Sequence, residues 1–549
     1  MNEKILYIGN TKFRGSTRPF GIKELDRQKH MYIIGQTGTG KTTLLSNMIV
    51  QDIQNGEGVA VIEPHGEMAD GLLDYIPEHR VQDVVYFSPS DTEFPIAFNL
   101  FDGVDRDERG LVAQSLLSIF KRVWGEDSFS DRMEYITMNT ILALLEYPGA
   151  TMLGITRMLT DKVFRKDVLG HVQDPTVKNF WINEFGSWSQ QFQAEAAAAL
   201  INKFGQFISN PIVKNVIGQT RNRVNFSHLM NQRKILIVNL SKGRTGEQNA
   251  YLLGSMLVTK IYLDTMERAR LATTEREQLP PFYLYVDEFQ NFASDSFAGI
   301  LSEARKYKLC LIMAHQYIDQ MPETVRDGVF GNVGTMITFR IGAKDSEVFE
   351  REFAPILQQQ DFVNMGFGQI YLRLAVDGIP SSPFSATTTP PIPLPEFSYR
   401  DSVLQYSREL YGLPRSVVEQ DINTWYQTLA ANEDIEKEKQ QNNQQESRNM
   451  RIHSVPTFGR PNNKQQSYLD RNPRNNSHDD NWKKNGKKNN ALRRQLQNLQ
   501  INQSDGVSND TTDDIDQGPD NSKSQQKNPG GGKGRTYSSF DLIERMLNE

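Results

Sequence analysis

The apolar positions of residues 1–105 fall in short runs separated by longer mixed stretches, an alternation typical of strands followed by helices. Strands that alternate with helices in this way predict a parallel sheet covered by helices. This part of the chain is therefore expected to begin an α/β domain. Its predicted strands are Lys4–Ile8, Met31–Ile34, Gly58–Ile62 and Val84–Phe87.

Residues from about 108 to 230 have a different pattern, with little strand signal and several helical periods. Met133–Leu145 and Phe192–Phe207 are predicted helices in this block. Strands resume after it, and two are near-continuous apolar runs, as expected for strands buried on both faces. The block is thus predicted to be an all-α insertion between two halves of one sheet. The later predicted strands are Lys234–Leu240, Phe282–Val286, Leu309–Ala314, Thr335–Arg340 and Gln369–Leu374.

The pattern changes again beyond the last predicted strand. Residues 387–395 form a stiff, proline-rich segment, and a short helical piece is predicted from about Arg400 to Leu429. Residues from about 431 to 535 are rich in Asn, Gln, Ser, Lys and Asp, with too few apolar side chains to offset the entropy of ordering, which predicts disorder. A helical pattern with one apolar face returns over Ser538–Leu547.

Composition limits the classes of function. The chain has 549 residues and a net charge of −6, so any contact with nucleic acid depends on local basic patches. Its single cysteine, Cys310, excludes an internal disulfide framework and argues against a cysteine-rich metal site. No run approaches the ~20 apolar residues that span a bilayer, and the N-terminal apolar run is too short for a signal peptide. These features predict a cytoplasmic protein that reaches a membrane only through partners.

A glycine-rich loop carries the strongest chemical signal. Gly35–Thr42 fits G-x-x-x-x-G-K-[ST], follows the strand Met31–Ile34 and precedes a predicted helix, Thr43–Asp52. In such a loop, backbone N–H groups and a helix N-terminus bind phosphate oxygens, Lys41 reaches the β- and γ-phosphates, and the Thr42 hydroxyl ligates Mg²⁺. The alternative, a turn that binds nothing, does not explain this context. The predicted ATP-binding residues are Gly35, Gln36, Thr37, Gly38, Thr39, Gly40, Lys41, Thr42 and Thr43.

Two carboxylates end a later buried strand, in the Walker B pattern. Asp287 is predicted to hold the Mg²⁺ shell, and Glu288 to act as a base for, or to orient, the attacking water. Adjacent acids at a strand end also occur in solvated turns, but a phosphate loop upstream favours the catalytic interpretation. A glutamate next to the aspartate favours an ATPase over a kinase.

Polar groups also follow the next strand. Gln316 is predicted to contact the γ-phosphate or orient water, although a strand-end glutamine is also a common loop cap. His315 is interpreted as structural. Arg305, between these strands, is either a solvated arginine or a finger that neutralises the γ-phosphate of a neighbouring subunit.

Together these segments, over about residues 5–385, resemble the HerA/FtsK superfamily of hexameric motor ATPases, and in particular the TraG/TraD-like coupling ATPases of conjugative type IV secretion. The order and spacing of the motifs carry the resemblance more than any one of them. The matching segments are Ile33–Leu45, Val61–Glu67, Val286–Phe292, Ser302–Tyr307, Ala314–Gln316 and Gly331–Arg340.

The resemblance implies a RecA-like core with an inserted all-α domain, assembled as a hexameric ring around DNA. It assigns Arg305 to the arginine-finger position and makes Arg340 a second candidate near the subunit boundary. The implied organisation is residues 1–107, first part of the ATPase domain; 108–231, all-α insertion; 232–395, second part of the ATPase domain; 396–430, helical extension; 431–535, disordered linker; and 536–549, C-terminal amphipathic helix.

Two departures from the family pattern stand out. Glu63 and Glu67 occupy positions where the family usually has aspartates, so a ligand role for that loop is in question. The N-terminal transmembrane pair of standard coupling proteins has no counterpart in the sequence, so the chain is expected not to insert into a membrane itself.

The leading hypothesis is an ATP-hydrolysing motor that translocates DNA, with a relaxase or secretion-channel proteins as candidate partners. The alternatives are an ATP-dependent receptor that recruits protein cargo to a secretion channel, and a HerA-like translocase that processes DNA ends. The basic pairs Lys242/Arg244 and Arg221/Arg223 are candidate DNA contacts, and each is equally compatible with ordinary surface charge. A basic tail segment around Trp482 is interpreted mainly as a solvated linker.

Overall fold

The computed structural model describes residues 4–13, 15–293 and 296–427. The predicted linker 431–535, with Trp482 inside it, and the predicted C-terminal helix 536–549 lie outside the described residues. So do the last residues of the predicted helical extension, 428–430.

Eleven of the described strands form one sheet, in the order β2-β1-β13-β10-β9-β3-β8-β7-β4-β6-β5, and β11 and β12 pair separately. The seven strands from β9 to β5 are parallel to one another, which confirms the predicted mostly parallel sheet. The strands are β1 Ile5–Phe13, β2 Ser16–Lys23, β3 Met31–Ile34, β4 Gly58–Glu63, β5 Val84–Phe87, β6 Ile235–Asn239, β7 Phe282–Val286, β8 Leu309–His315, β9 Thr335–Thr338, β10 Gln369–Arg373, β11 Ala375–Val376, β12 Ile379–Pro380 and β13 Phe384–Thr388.

An antiparallel extension of four strands, β10, β13, β1 and β2, continues the sheet on one side. The sequence did not predict β2 or β13. The predicted proline-rich segment was placed too early, because Thr387 and Thr388 belong to β13 and pair with β10 and β1. Both strands lack an apolar run, since much of β2 faces solvent and only Ala386 of β13 is fully buried.

Helices cover both faces of the sheet. All helical segments between β5 and β6, from α4 to α11, come from the stretch that the sequence predicted to be helical. The helices are α1 Glu24–Arg27, α2 Lys41–Gln54, α3 Glu67–Leu72, α4 Arg109–Trp124, α5 Asp131–Leu145, α6 Leu153–Thr160, α7 Lys162–His171, α8 Pro175–Asn179, α9 Gln190–Ser209, α10 Pro211–Ile217, α11 Phe226–Asn231, α12 Lys242–Thr245, α13 Glu247–Met266, α14 Thr273–Gln278, α15 Ser296–Glu303, α16 Glu323–Asn332, α17 Ala343–Phe353, α18 Gln359–Val363 and α19 Arg400–Tyr411.

The two faces of the parallel strands bury different layers. Tyr32 and Ile34 of β3 belong to a core shared with the helical insertion and α13. Met31 and Ile33, which point the opposite way along the strand, pack in a second core with α2. Burial on both faces holds β3 rigidly, and β3 leads directly into the glycine-rich loop.

His30 immediately precedes β3, so it lies at the end of the strands that is opposite the glycine-rich loop, and it is fully buried. Its Nδ1 accepts a hydrogen bond from the backbone N–H of Leu311 (3.1 Å), and its Nε2 lies 3.1 Å from the carbonyl oxygen of Leu301. These contacts fit only the neutral ring that is protonated at Nε2. Burial lowers the pKa of His30 to about 4, although the hydrogen bond to Leu301 opposes the shift.

We therefore expect acid to destabilise the fold through His30. Between pH 6.5 and 4 the unfolded chain binds a proton at this residue and the folded chain does not, so stability falls as the pH falls, by about 1.4 kcal/mol per pH unit. Urea denaturation at pH 7 and pH 5 measures the loss. His30→Asn, which tolerates the positive φ of this position, should remove about 2 kcal/mol of that pH dependence. An unchanged pH dependence in the variant would contradict the assignment.

Candidate nucleotide-binding site

The loop between β3 and α2 has the backbone geometry of a phosphate cradle. Gly38 and Gly40 have φ values of +74° and +116°, a region that disfavours other residues. Gly35 has no room for a side chain, because a Cβ atom there would lie 2.5 Å from the Cβ of Phe339. The backbone N–H of Gln36 donates to the carbonyl of Arg340 (2.9 Å), which ties the loop to the end of β9.

Lys41 begins α2 and is largely buried. Its Nζ donates to the carbonyl oxygens of Gly35 and Gln36, the second at 3.2 Å. Burial lowers the pKa of Lys41, and the carboxylates of Glu288 and Asp287 act in the opposite direction. The ammonium group therefore lies within the field of both acids that the sequence singled out.

Asp287 and Glu288 follow β7 and are 7% and 8% exposed. Burial, with the nearby carboxylates of Glu288 and Glu63, raises the pKa of Asp287 to about 7. A cation beside Asp287 would relieve this cost. The oxygen donors of Asp287 and Thr42 are of the kind that Mg²⁺ prefers. Among the described residues no cluster of three or more His, Cys, Asp or Glu could hold a metal ion by itself.

The Glu288 carboxylate is held between two glutamine amides. Gln290 Nε2 donates to Glu288 Oε2 at 2.6 Å, and Gln316 Nε2 donates to Glu288 Oε1. The Thr37 hydroxyl, in the glycine-rich loop, donates to Gln316 Oε1 at 3.0 Å. Gln316 thus connects the phosphate cradle to Glu288, the position expected of a residue that responds to a γ-phosphate.

Thr37, Glu288 and Gln316 line one cleft of about 520 Å³. The cleft brings together most of the site residues that the sequence predicted. Gly35 and Gln36 are outside its lining, but their carbonyl oxygens accept hydrogen bonds from Lys41 Nζ. The predicted residues in the lining are Thr37, Gly38, Gly40, Lys41, Thr42, Thr43, Asp287, Glu288 and Gln316. Thr39 is turned away, and its hydroxyl donates to the carbonyl of Gln36 at 2.7 Å.

Two predicted arginines do not line the cleft. Arg305 is exposed in a 3₁₀ turn, Ala304–Tyr307, that precedes β8, so it lies at the edge of the sheet near His30. The cradle lies at the other edge. Arg340 is exposed beside the cradle, where only its carbonyl contacts Gln36. His315, interpreted as structural, is buried and its Nδ1 lies 2.9 Å from the Tyr32 hydroxyl.

Sequence reasoning did not assign roles to Gln290 and Phe367. Gln290 lies in the 3₁₀ turn after Glu288, and the spacing of two residues was a usable signal. Phe367 lines the cleft from a loop between α18 and β10, and the glycines on either side of it in the sequence gave no sign of that position.

The loop after β4 uses Glu63 as an internal cap. Its carboxylate accepts from the backbone N–H groups of His65 (2.7 Å), Gly66 (2.5 Å) and Ala69 (3.4 Å). Burial raises the pKa of Glu63, and these donors oppose the shift. The longer side chain therefore binds the loop itself. Glu67 is exposed and lines the cleft.

Comparison with known proteins gives two family matches. The model described as "Helicase HerA, central domain" matches residues 6–146, and the model described as "TraM recognition site of TraD and TraG" matches residues 281–361. The resemblance predicted from the sequence is confirmed. No curated protein sequence matches the chain.

Solved structures of a bacterial conjugative coupling protein have a similar fold. The unbound form of TrwBΔN70 is 14% identical, covers 70% of this chain and 88% of its own, and has a TM-score of 0.51. TrwB in complex with the GTP analogue GDPNP is 16% identical, covers 69% and 88%, and has a TM-score of 0.50. This likeness confirms the predicted RecA-like fold. Within the described ranges, no helix combines the length and apolar character that crossing a bilayer requires.

We expect Glu63→Gln to destabilise the protein, because an amide offers these donors one oxygen in place of two and removes the charge. The expected loss is about 1–3 kcal/mol of unfolding free energy, measured by urea denaturation at pH 7.5. Glu67→Gln makes the same change at an exposed position of the same loop, and its effect should stay within about 0.5 kcal/mol. Equal effects of the two substitutions would refute the capping role of Glu63.

Proposed function

We propose that this chain, a P-loop protein of the HerA and TraG/TraD type, is an ATP-hydrolysing motor that translocates DNA as a hexameric ring in conjugative type IV secretion. One observation carries the proposal: the cleft unites the phosphate cradle, two buried acids and a glutamine that connects them. A receptor that only binds nucleotide has no need of a buried, amide-clamped glutamate beside the cradle.

The residues suit attack of water on the γ-phosphorus. Glu288 accepts a hydrogen bond from the water and takes its proton as the P–O bond to the bridging oxygen breaks, and ADP leaves with the electron pair. Gln290 and Gln316 fix the carboxylate during this step. Thr42 and Asp287 are the candidate ligands of Mg²⁺, which neutralises phosphate charge when bound.

A hydrogen-bonded path runs from the cleft to the basic residues after β6. The backbone N–H of Lys242 donates to the carbonyl of Pro64 (2.9 Å), and Ser241 Oγ donates to Asn239 Oδ1 (2.5 Å). Asn239 Nδ2 in turn contacts the carbonyl of Gly66 at 3.4 Å. Because His65 and Glu67 of the same loop line the cleft, these bonds connect the cleft to the segment that carries Lys242 and Arg244. This supports Lys242 and Arg244 over Arg221 and Arg223 as the moving DNA contacts.

Assembly of subunits in a ring gives a reason for the exposed position of Arg305. No arginine is found among the described residues that line the cleft, and Arg305 is exposed at the opposite edge of the sheet. It is therefore available to the γ-phosphate of a neighbouring subunit and not to its own.

Glu288→Gln should abolish ATP turnover and leave binding of a non-hydrolysable analogue within a few-fold of the wild type, because only the proton acceptor is lost. Arg305→Ala should lower DNA-stimulated turnover by about 10³-fold or more. Lys306→Ala, at the adjacent exposed cation, is the matched control and should retain the wild-type rate. ATPase assays with and without single- and double-stranded DNA give these rates. Similar losses for the two cation variants would contradict the finger role.

A second candidate function, a receptor for protein cargo, is favoured by the description of the family matched at residues 281–361, which refers to recognition of another protein. The same assays separate the two functions. A motor is stimulated by DNA, whereas a receptor's turnover does not respond to DNA and rises with the cargo protein.

A further inference from the structure

Phe367 is an unusual part of the cleft lining. Its side chain is 78% exposed, although its ring is large and apolar. Single exposed apolar residues are common on protein surfaces, so exposure alone does not indicate a binding function. Phe367, however, shares a cleft with Lys41, Thr42 and Thr43, whose lining is otherwise mostly polar or charged.

The loop that carries Phe367 is bonded directly to the phosphate cradle. The backbone N–H of Gly368 donates to the carbonyl of Thr39 at 3.1 Å, and the N–H of Thr388 in β13 donates to the carbonyl of Gly368 at 2.9 Å. Gly368 has a φ of +68°, and a Cβ atom on Gly40 would lie 3.7 Å from its Cα. The backbone next to Phe367 is therefore held against the cradle.

We propose that Phe367 is the platform on which the base of the bound nucleotide stacks. The inference rests on the proposed function, and it names the part of the substrate that this edge of the cleft recognises. Once the triphosphate occupies the cradle, the base extends to the rim of the cleft, where an exposed ring offers an apolar face. Every base has a π-face, so stacking holds it without reading its identity.

The surroundings of the ring support a contact with the face of the base and not with its edge. Its neighbours in the sequence, Gly366 and Gly368, have no side chains. Two polar side chains of the strands beside the loop are bonded to its backbone: Gln369 Oε1 of β10 accepts from the N–H of Gly366 (2.8 Å), and the Thr388 hydroxyl of β13 donates to the carbonyl of Gly368 (3.3 Å). The site should therefore accept adenine and guanine nucleotides about equally.

Binding of three magnesium-loaded ligands to the full chain tests the proposal by calorimetry: a non-hydrolysable ATP analogue, the matching GTP analogue and inorganic tripolyphosphate. Phe367→Ala should weaken both nucleotides about tenfold and leave tripolyphosphate unchanged. Phe367→Trp should restore the affinity for both nucleotides. Phe397→Ala is the matched control, since Phe397 is 75% exposed and lies outside the cleft lining, and it should bind all three ligands like the wild type.

The proposal is overturned if Phe367→Ala binds both nucleotides as tightly as the wild type. This holds even if the substitution changes the mass of the oligomer. The proposal is also overturned if tripolyphosphate is lost in parallel, which would mean that the loop only supports the cradle. Weaker binding of one nucleotide and not of the other would also overturn it, because the site would then recognise the edge of the base. A wild-type chain that binds none of the three ligands would overturn the proposed function as well.

Discussion

Two buried carboxylates that follow β7 and one buried ammonium group that follows β3 meet at one edge of the sheet, and the cleft depends on this arrangement of charge. Asp287 and Glu288 are nearly inaccessible to water, and Lys41 is the cation in their field. Buried like charges destabilise a fold unless other groups compensate for them. Here Lys41 and two glutamine amides supply part of that compensation, and a cation beside Asp287 would add to it. The charge in the cleft therefore favours a cation beside Asp287.

The rest of the structure holds these charges in place. The parallel order β9-β3-β8-β7-β4 brings the ends of β3, β7 and β8 to one edge. Phe339 packs so closely on Gly35 that this position of the loop has no room for a side chain. The antiparallel extension adds the 366–368 loop and joins it to the cradle through Gly368. The charged and polar side chains of the cleft thus follow the parallel strands, and the antiparallel extension forms its rim.

Much of this was predictable from the sequence, for identifiable reasons. Strands buried on both faces have continuous apolar runs, so β3, β5 and β7 were predicted with correct bounds. Parallel strands end at a common edge, which made the meeting of Lys41, Glu288 and Gln316 foreseeable. β2 and β13 were missed because strands whose side chains are mostly exposed or half-buried need no apolar run. The roles of Gln290 and Phe367 depend on a turn and a loop whose shapes arise from tertiary contacts. The role proposed for Arg305 requires a second copy of the chain, which no pattern within one copy determines.

The central claim is that each active cleft is built from two subunits, and mixing two inactive variants tests it most directly. Lys41→Ala removes the cradle's cation but keeps Arg305, and Arg305→Ala keeps the cradle but removes the guanidinium. If the cleft is shared, rings that contain both variants have some intact sites, and DNA-stimulated ATP hydrolysis should reappear on mixing. Mixed rings that form, as verified by mass, and remain as inactive as either variant alone would contradict the account.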